Sequence, residues 1–157
     1  MPFTRFALIA ATALATACAS DGTTSPTTAA PDARLSAVAT VTSVSINDAS
    51  SPVMLRVAVT STLTEQVSAG SCAQLVQART TGGTTWTDVT TTNGSCSTNI
   101  LLLAPGATVQ ISGSADVAKL RTVAATGSTV VVRVRHTLDG ASSKYTLQSN
   151  EVNVVVP

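Results

Sequence analysis

Aromatic residues make up 3% of the chain, charged residues 11%, and there is one histidine, His136. Each shortage closes a route. A core with so few rings must be filled by Val, Leu, Ala and Thr, a composition that suits strands better than helices. With a single histidine, any Ser-His-Asp arrangement must use His136, and a metal site has too few nitrogen and sulfur ligands to draw on. The eight acids, Asp21, Asp32, Asp48, Glu65, Asp88, Asp116, Asp139 and Glu151, are scattered, so no close carboxylate pair marks glycosidase or metal chemistry. Gly-rich phosphate loops and a Cys-x-x-Cys redox motif are both missing. Without Arg5, which precedes the apolar leader, eight basic residues face eight acidic ones, and a balance near zero gives no reason to expect nucleic acid as a partner. The expectation is a protein that is not an enzyme and takes no cofactor.

What is present begins with "FALIAATALATA", a 12-residue apolar run from Phe6 to Ala17 behind Arg5. It is too short to span a bilayer and has the length of a signal peptide's apolar region, so residues 1–17 are expected to be a leader. Three cysteines follow, an odd number: Cys18, Cys72 and Cys96. "Leu14-Ala15-Thr16-Ala17-Cys18" resembles the lipobox of bacterial lipoproteins. That resemblance implies that Cys18 becomes the mature N-terminus, carries lipid and anchors the chain to a membrane. An ordinary secretory leader cut after Ala17 is the competing reading, and it leaves an exposed free thiol. Ala19 and Ser20 follow the cysteine where inner-membrane lipoproteins tend to have Asp, so the resemblance favours the outer membrane of a Gram-negative cell. Residues 18–34 continue with a Thr/Ser/Pro/Ala stretch that has almost nothing to bury, expected to be a disordered tether spanning roughly 20–25 Å.

Cys72 and Cys96 form an even pair in an oxidising compartment. A disulfide between them closes a loop of about 25 residues and contributes roughly 3–3.5 kcal/mol by loop entropy.

From Leu35 to Pro157 strand patterns alternate with turn signals. "Val53-Met54-Leu55-Arg56-Val57-Ala58-Val59-Thr60" alternates cleanly, and "VATVTSVSI" before it and "ATVQISGSA" after it read as further strands. Gly82-Gly83, Asn93-Gly94 and Pro105-Gly106 mark turns, the last suited to the centre of a type II turn. "ADVAKLRTVAA" (Ala115 to Ala125) is the one short helix expected. "STVVVRVRHTL" is the strongest strand, with Val130, Val132, Val134 and His136 inward, and Asp139-Gly140 signals a hairpin. In the returning arm Tyr145 and Leu147 share one parity while Val152, Val154 and Val156 have the other, which predicts a bulge or bend near Ser149-Asn150.

About seven to nine short strands with at most one short helix point to an all-β, antiparallel β-sandwich. "LRVAVTST", the Trp-containing "GGTTWTDV", "LAPGATV" and the closing "SNEVNVVVP" resemble lipoprotein-anchored immunoglobulin-like domains of bacteria. The likeness covers roughly residues 35–157. It implies an immunoglobulin-like interaction or structural domain in the cell envelope, with an envelope protein or glycan as partner. Cys72 and Cys96 flank Trp86 only 24 positions apart, so they are expected to staple neighbouring strands or loops, not the two sheets. A small protease-inhibitor-like or glycan-binding sandwich is the alternative. The candidate binding surface is the outward face of the last hairpin, where Arg133 and Arg135 project and Lys144 follows opposite Thr137 or Arg135, with Trp86 as a further candidate. His136, inward on its strand, is expected to be structural.

Overall fold

The computed structural model describes residues 29–43, 51–70, 74–91 and 100–157. The leader, Cys18, Cys72, Cys96 and the Asn93-Gly94 turn lie outside the described residues.

Valine and leucine at every second position set the first sheet. β1 (Leu35–Ser43) and β2 (Val53–Ser61) pair antiparallel, and β2 pairs on its other side with β7 (Thr108–Ala115). Leu35, Ala37, Ala39, Val53, Leu55, Val57 and Val59 all point inward and are buried. Each fully buried Val or Leu contributes roughly 1.5–3 kcal/mol of transfer free energy.

The second sheet is organised around the longest strand, β8 (Thr129–Asp139). β3 (Val67–Gly70) and β4 (Gln74–Thr80) lie in turn along one side of it, at Ser68↔Asp139 and from Gln74↔His136 to Thr80↔Val130. β5 (Thr87–Asp88) extends the sheet beyond β4, and β6 (Ile100–Leu103) beyond β3. β9 (Lys144–Gln148) and β10 (Val152–Val155) lie in turn along the other side of β8. The result is an all-β antiparallel sandwich with, among the described residues, three strands in one sheet and seven in the other. The ten strands among the described residues exceed the seven to nine expected because two strand-length tracks, β3/β4 and β9/β10, are each interrupted.

The second interruption is the one that the change of parity requires. From Arg135↔Gln148 to Val132↔Val152, β8 advances three residues and its partner four. The extra residue restores inward positions to Val154 and Val156. At the bend, Ser149 N–H donates to Val134 O at 2.9 Å and Val134 N–H donates to Ser149 Oγ at 2.9 Å, so β8 keeps partners there. Asn150 turns its amide toward the other sheet: Oδ1 accepts from Ala39 N–H at 2.6 Å and Nδ2 donates to Ala39 O at 3.3 Å.

The one helix among the described residues, α1 (Val117–Val123), begins at Asp116, whose carboxylate accepts from Lys119 N–H, and buries Val117 and Leu120 against the core. No helix among the described residues is long and apolar enough to cross a membrane. Pro105 and Gly106 form the expected turn, with Gly106 at φ 71° and Ala107 N–H donating to Ala104 O.

The hairpin register differs from both expected alternatives. The loop is Gly140 to Ser143, so Lys144 stands opposite Asp139, not Thr137 or Arg135, and pairs with its carboxylate at 2.7 Å. Gly140 accepts this loop because a Cβ there would meet Tyr145 Cε2 at 2.7 Å and Glu65 Oε1 at 2.9 Å. Glu65 fixes the loop from across: it accepts from the Tyr145 hydroxyl and from Ala141 N–H.

Residues just ahead of β1 are held on the sandwich. Asp32 N–H donates to Thr146 O at 2.8 Å, and the Arg34 side chain pairs with Asp32 and lies 5.4 Å from the Tyr145 ring centroid.

Candidate functional surface on the large sheet

Strand parity sends Leu75, Gln77 and Arg79 of β4 outward beside Arg135, Arg133 and Val131 of β8. The Gly82-Gly83 turn then brings the chain back along the outer side of β4. Gly82 adopts φ 79°, Gly83 N–H donates to Thr80 O, and Thr87 and Asp88 pair with Ala78 and Gln77. Trp86, just ahead of β5, is thereby laid against the arginines. The Arg133 guanidinium lies 3.8 Å from its ring centroid and the Arg79 guanidinium 5.0 Å. Such contacts contribute about 0.5–2 kcal/mol each, more as water is excluded.

The surroundings distinguish the two arginines. Arg79 donates to Glu151 at 2.7 Å and to Gly83 O at 2.9 Å. Glu151 lies at the β9/β10 bend, so this ion pair links the two sides of β8. Arg133 donates through Nε to Gln77 Oε1 at 3.0 Å and enters none of the ion pairs formed among the described residues. Burial pulls its pKa below the usual arginine value; the positive charges of Arg135 and Arg79 act the same way and Glu151 opposes them.

The expected surface is therefore rearranged. Trp86 and Arg133 come together. Arg135 occupies the outward register, but it is only 7% exposed because the chain ahead of β1 passes over it and Ala29 O accepts from its Nη2 at 2.7 Å. Lys144 sits at the far hairpin end, neutralised by Asp139. Among the described residues, Arg133, Arg135 and Lys144 form no continuous basic patch. Gln77, Arg79 and Glu151 were not singled out from the sequence. The outward parity of "QLVQART" carries a signal for the first two, but the β4–β8 pairing that brings them to Arg133 is not local.

His136 is 3% exposed, on the inward side of β8, with Gln74 and Leu147 as cross-strand neighbours. Its Nδ1 lies 3.1 Å from Thr137 O; a carbonyl only accepts, so that nitrogen donates. Burial lowers its pKa, and the hydrogen bond to Thr137 partly offsets this. Among the described residues, no group of three or more His, Cys, Asp and Glu side chains is arranged to hold a metal ion.

No protein-family model matches the chain, and no curated protein matches it. Among solved structures it is similar to a Bordetella pertussis protein provisionally named ApaA, with a TM-score of 0.48 and 15% identity over 78% of this chain and 94% of that one. It is also similar to a protein from Archaeoglobus fulgidus, with a TM-score of 0.47 and 11% identity over 78% of this chain and 96% of that one. At that level of likeness neither protein informs the function of this one.

Proposed function

We propose that this chain is a lipid-anchored, non-catalytic module of the bacterial cell envelope, in the outer membrane of a Gram-negative cell, that works by binding an envelope partner. The observation that carries the reading is a division of side chains. The one histidine is packed into the core, while the outward face of the large sheet gathers Trp86, Arg79 and Arg133. Chemistry-bearing groups are thus withdrawn, and the residue types most enriched at protein interfaces, Trp and Arg, are displayed.

The finer class is immunoglobulin-like. Its support is the strand order: β1-β2-β7 faces β5-β4-β8 with β9/β10, which parallels the A-B-E and C-F-G sheets of that class. Anchoring is supported by the leader and "LATAC" ending at Cys18. A Cys72–Cys96 disulfide belongs to the same reading. It draws support from the Gly70↔Ile100 pairing, which lies two residues before Cys72 and four after Cys96.

Two measurements test the proposal. Mass spectrometry of the purified protein is expected to show a diacyl- or triacylglyceryl group at Cys18 and none in Cys18→Ser, and a non-reducing peptide map to link Cys72 with Cys96. Crosslinking in intact cells followed by pull-down is expected to recover a cell-wall or membrane component. Recovery of a protease instead would mark an inhibitor.

A further inference from the structure

We infer that the Arg133 guanidinium, held between Trp86 and Gln77, is a receptor for a side-chain carboxylate of an acidic partner protein. This inference rests on the binding-module reading and gives it a chemistry.

Charge accounting across the face singles out Arg133. Arg79 has Glu151, Lys144 has Asp139, Arg34 has Asp32, and Arg135 is capped by the Ala29 carbonyl. The remaining carboxylate facing β4, that of Asp88, accepts from the Thr90 hydroxyl and backbone N–H. Among the described residues Arg133 makes one hydrogen bond, from Nε to Gln77, so both terminal nitrogens keep their N–H groups for an acceptor from outside. The ring at 3.8 Å and the Gln77 amide fix the plane of the guanidinium. Little side-chain entropy then remains to be lost on binding, and the two parallel N–H bonds that a carboxylate accepts are already aimed.

The remainder of the face favours a protein over a saccharide. A sugar would stack on an aromatic face free of other partners, whereas two of the chain's own guanidiniums already lie within 5.0 Å of the Trp86 ring centroid. Leu75, two residues from Gln77 on the same outward row, is 41% exposed and offers an apolar contact beside the charge. An acidic residue next to an apolar one is the partner chemistry that this pairing fits.

Trp86 is the only tryptophan, so its fluorescence reports this position alone. The full chain is titrated with a short synthetic peptide rich in glutamate and leucine, with its glutamine counterpart, and with polygalacturonate. The expected result is a saturable change in Trp86 emission with the glutamate peptide only. Arg133→Lys, which keeps the charge and loses the fork, should weaken binding roughly tenfold or more. Gln77→Glu, which supplies an internal carboxylate to Arg133, should abolish binding while the melting temperature holds or rises, so that lost binding cannot be lost folding. Lys144→Gln should leave binding unchanged. No response up to about 1 mM peptide, an equal response to the glutamine peptide, tighter binding of polygalacturonate, or indifference to both variants overturns the inference. If crosslinking still recovers the same envelope partner with Gln77→Glu as with the parent chain, the module reading stands and the Arg133 receptor falls.

Discussion

The two sheets share one core but treat their outer faces differently. In the small sheet, β2 and β7 pair without interruption from Val53↔Ala115 to Thr60↔Thr108, and Arg56 is the only charged residue in its three strands. Its outward side is largely Ser, Thr and Gln. The large sheet is interrupted on both sides of β8, and its strands hold Arg79, Asp88, Arg133, Arg135, Asp139 and Lys144. An uninterrupted strand only sorts side chains into inside and outside. A bend re-aims them: the one after β9 directs Asn150 at β1 of the opposite sheet and brings Glu151 to Arg79. Specific contacts collect where regularity fails.

The contrast can be broken first from the core. Leu55→Ala removes a fully buried side chain from the uninterrupted β2–β7 pair and is expected to cost about 2–5 kcal/mol in urea denaturation. Arg56→Ala, the next residue on the outward side, should stay within about 0.5 kcal/mol. Next in size is Asn150→Ala, which leaves Ala39 N–H and C=O without the amide that satisfies them. A loss of about 1–3 kcal/mol is expected, with faster hydrogen exchange at the Ala39 amide. Indifference at Asn150 would mean that the bend corrects parity without joining the sheets. Trp86→Ala should cost only about 1 kcal/mol, since it removes stacking from a half-exposed face, yet remove most peptide binding.

Most of the small sheet was legible in the sequence, because period-two alternation is a local signal: "VMLRVAVT" states its own buried face. The bend at Ser149-Asn150 was legible for the same reason, since a parity break between Leu147 and Val152 has one backbone remedy. The hairpin register was not. It turned on where a four-residue loop begins, after Asp139, a position fixed by Glu65, about eighty positions from Tyr145, through side-chain contacts that no local pattern encodes. The surface was half legible. Trp86 and Arg133 stood out by scarcity and parity, but the covering of Arg135 by Ala29 and the arrival of Arg79 depend on contacts between distant segments.

The smallest expected effect concerns His136, where the large sheet places a titratable group on the side both sheets keep apolar. Burial holds its pKa below the ordinary 6.5, so the native imidazole stays neutral where the unfolded one takes a proton. Above pH 6.5 the two states bind equally and the contribution is complete; as pH falls below 6.5 the unfolded state gains the proton first, and stability declines until the native ring also titrates. The slope there cannot exceed about 1.4 kcal/mol per pH unit for one group. Asp32, lowered to about 2 by its hydrogen bonds from Arg34, and Glu65, lowered by hydrogen bonds from Tyr145 and Ala141, also favour the native state at higher pH, but their windows open at the ordinary carboxylate values of 3.8 and 4.5. Urea midpoints measured between about pH 7 and pH 5.5 therefore report chiefly the histidine. The midpoint should fall on acidification in the parent chain and stay nearly level in His136→Leu, whereas equal slopes in both would place the native imidazole in contact with water.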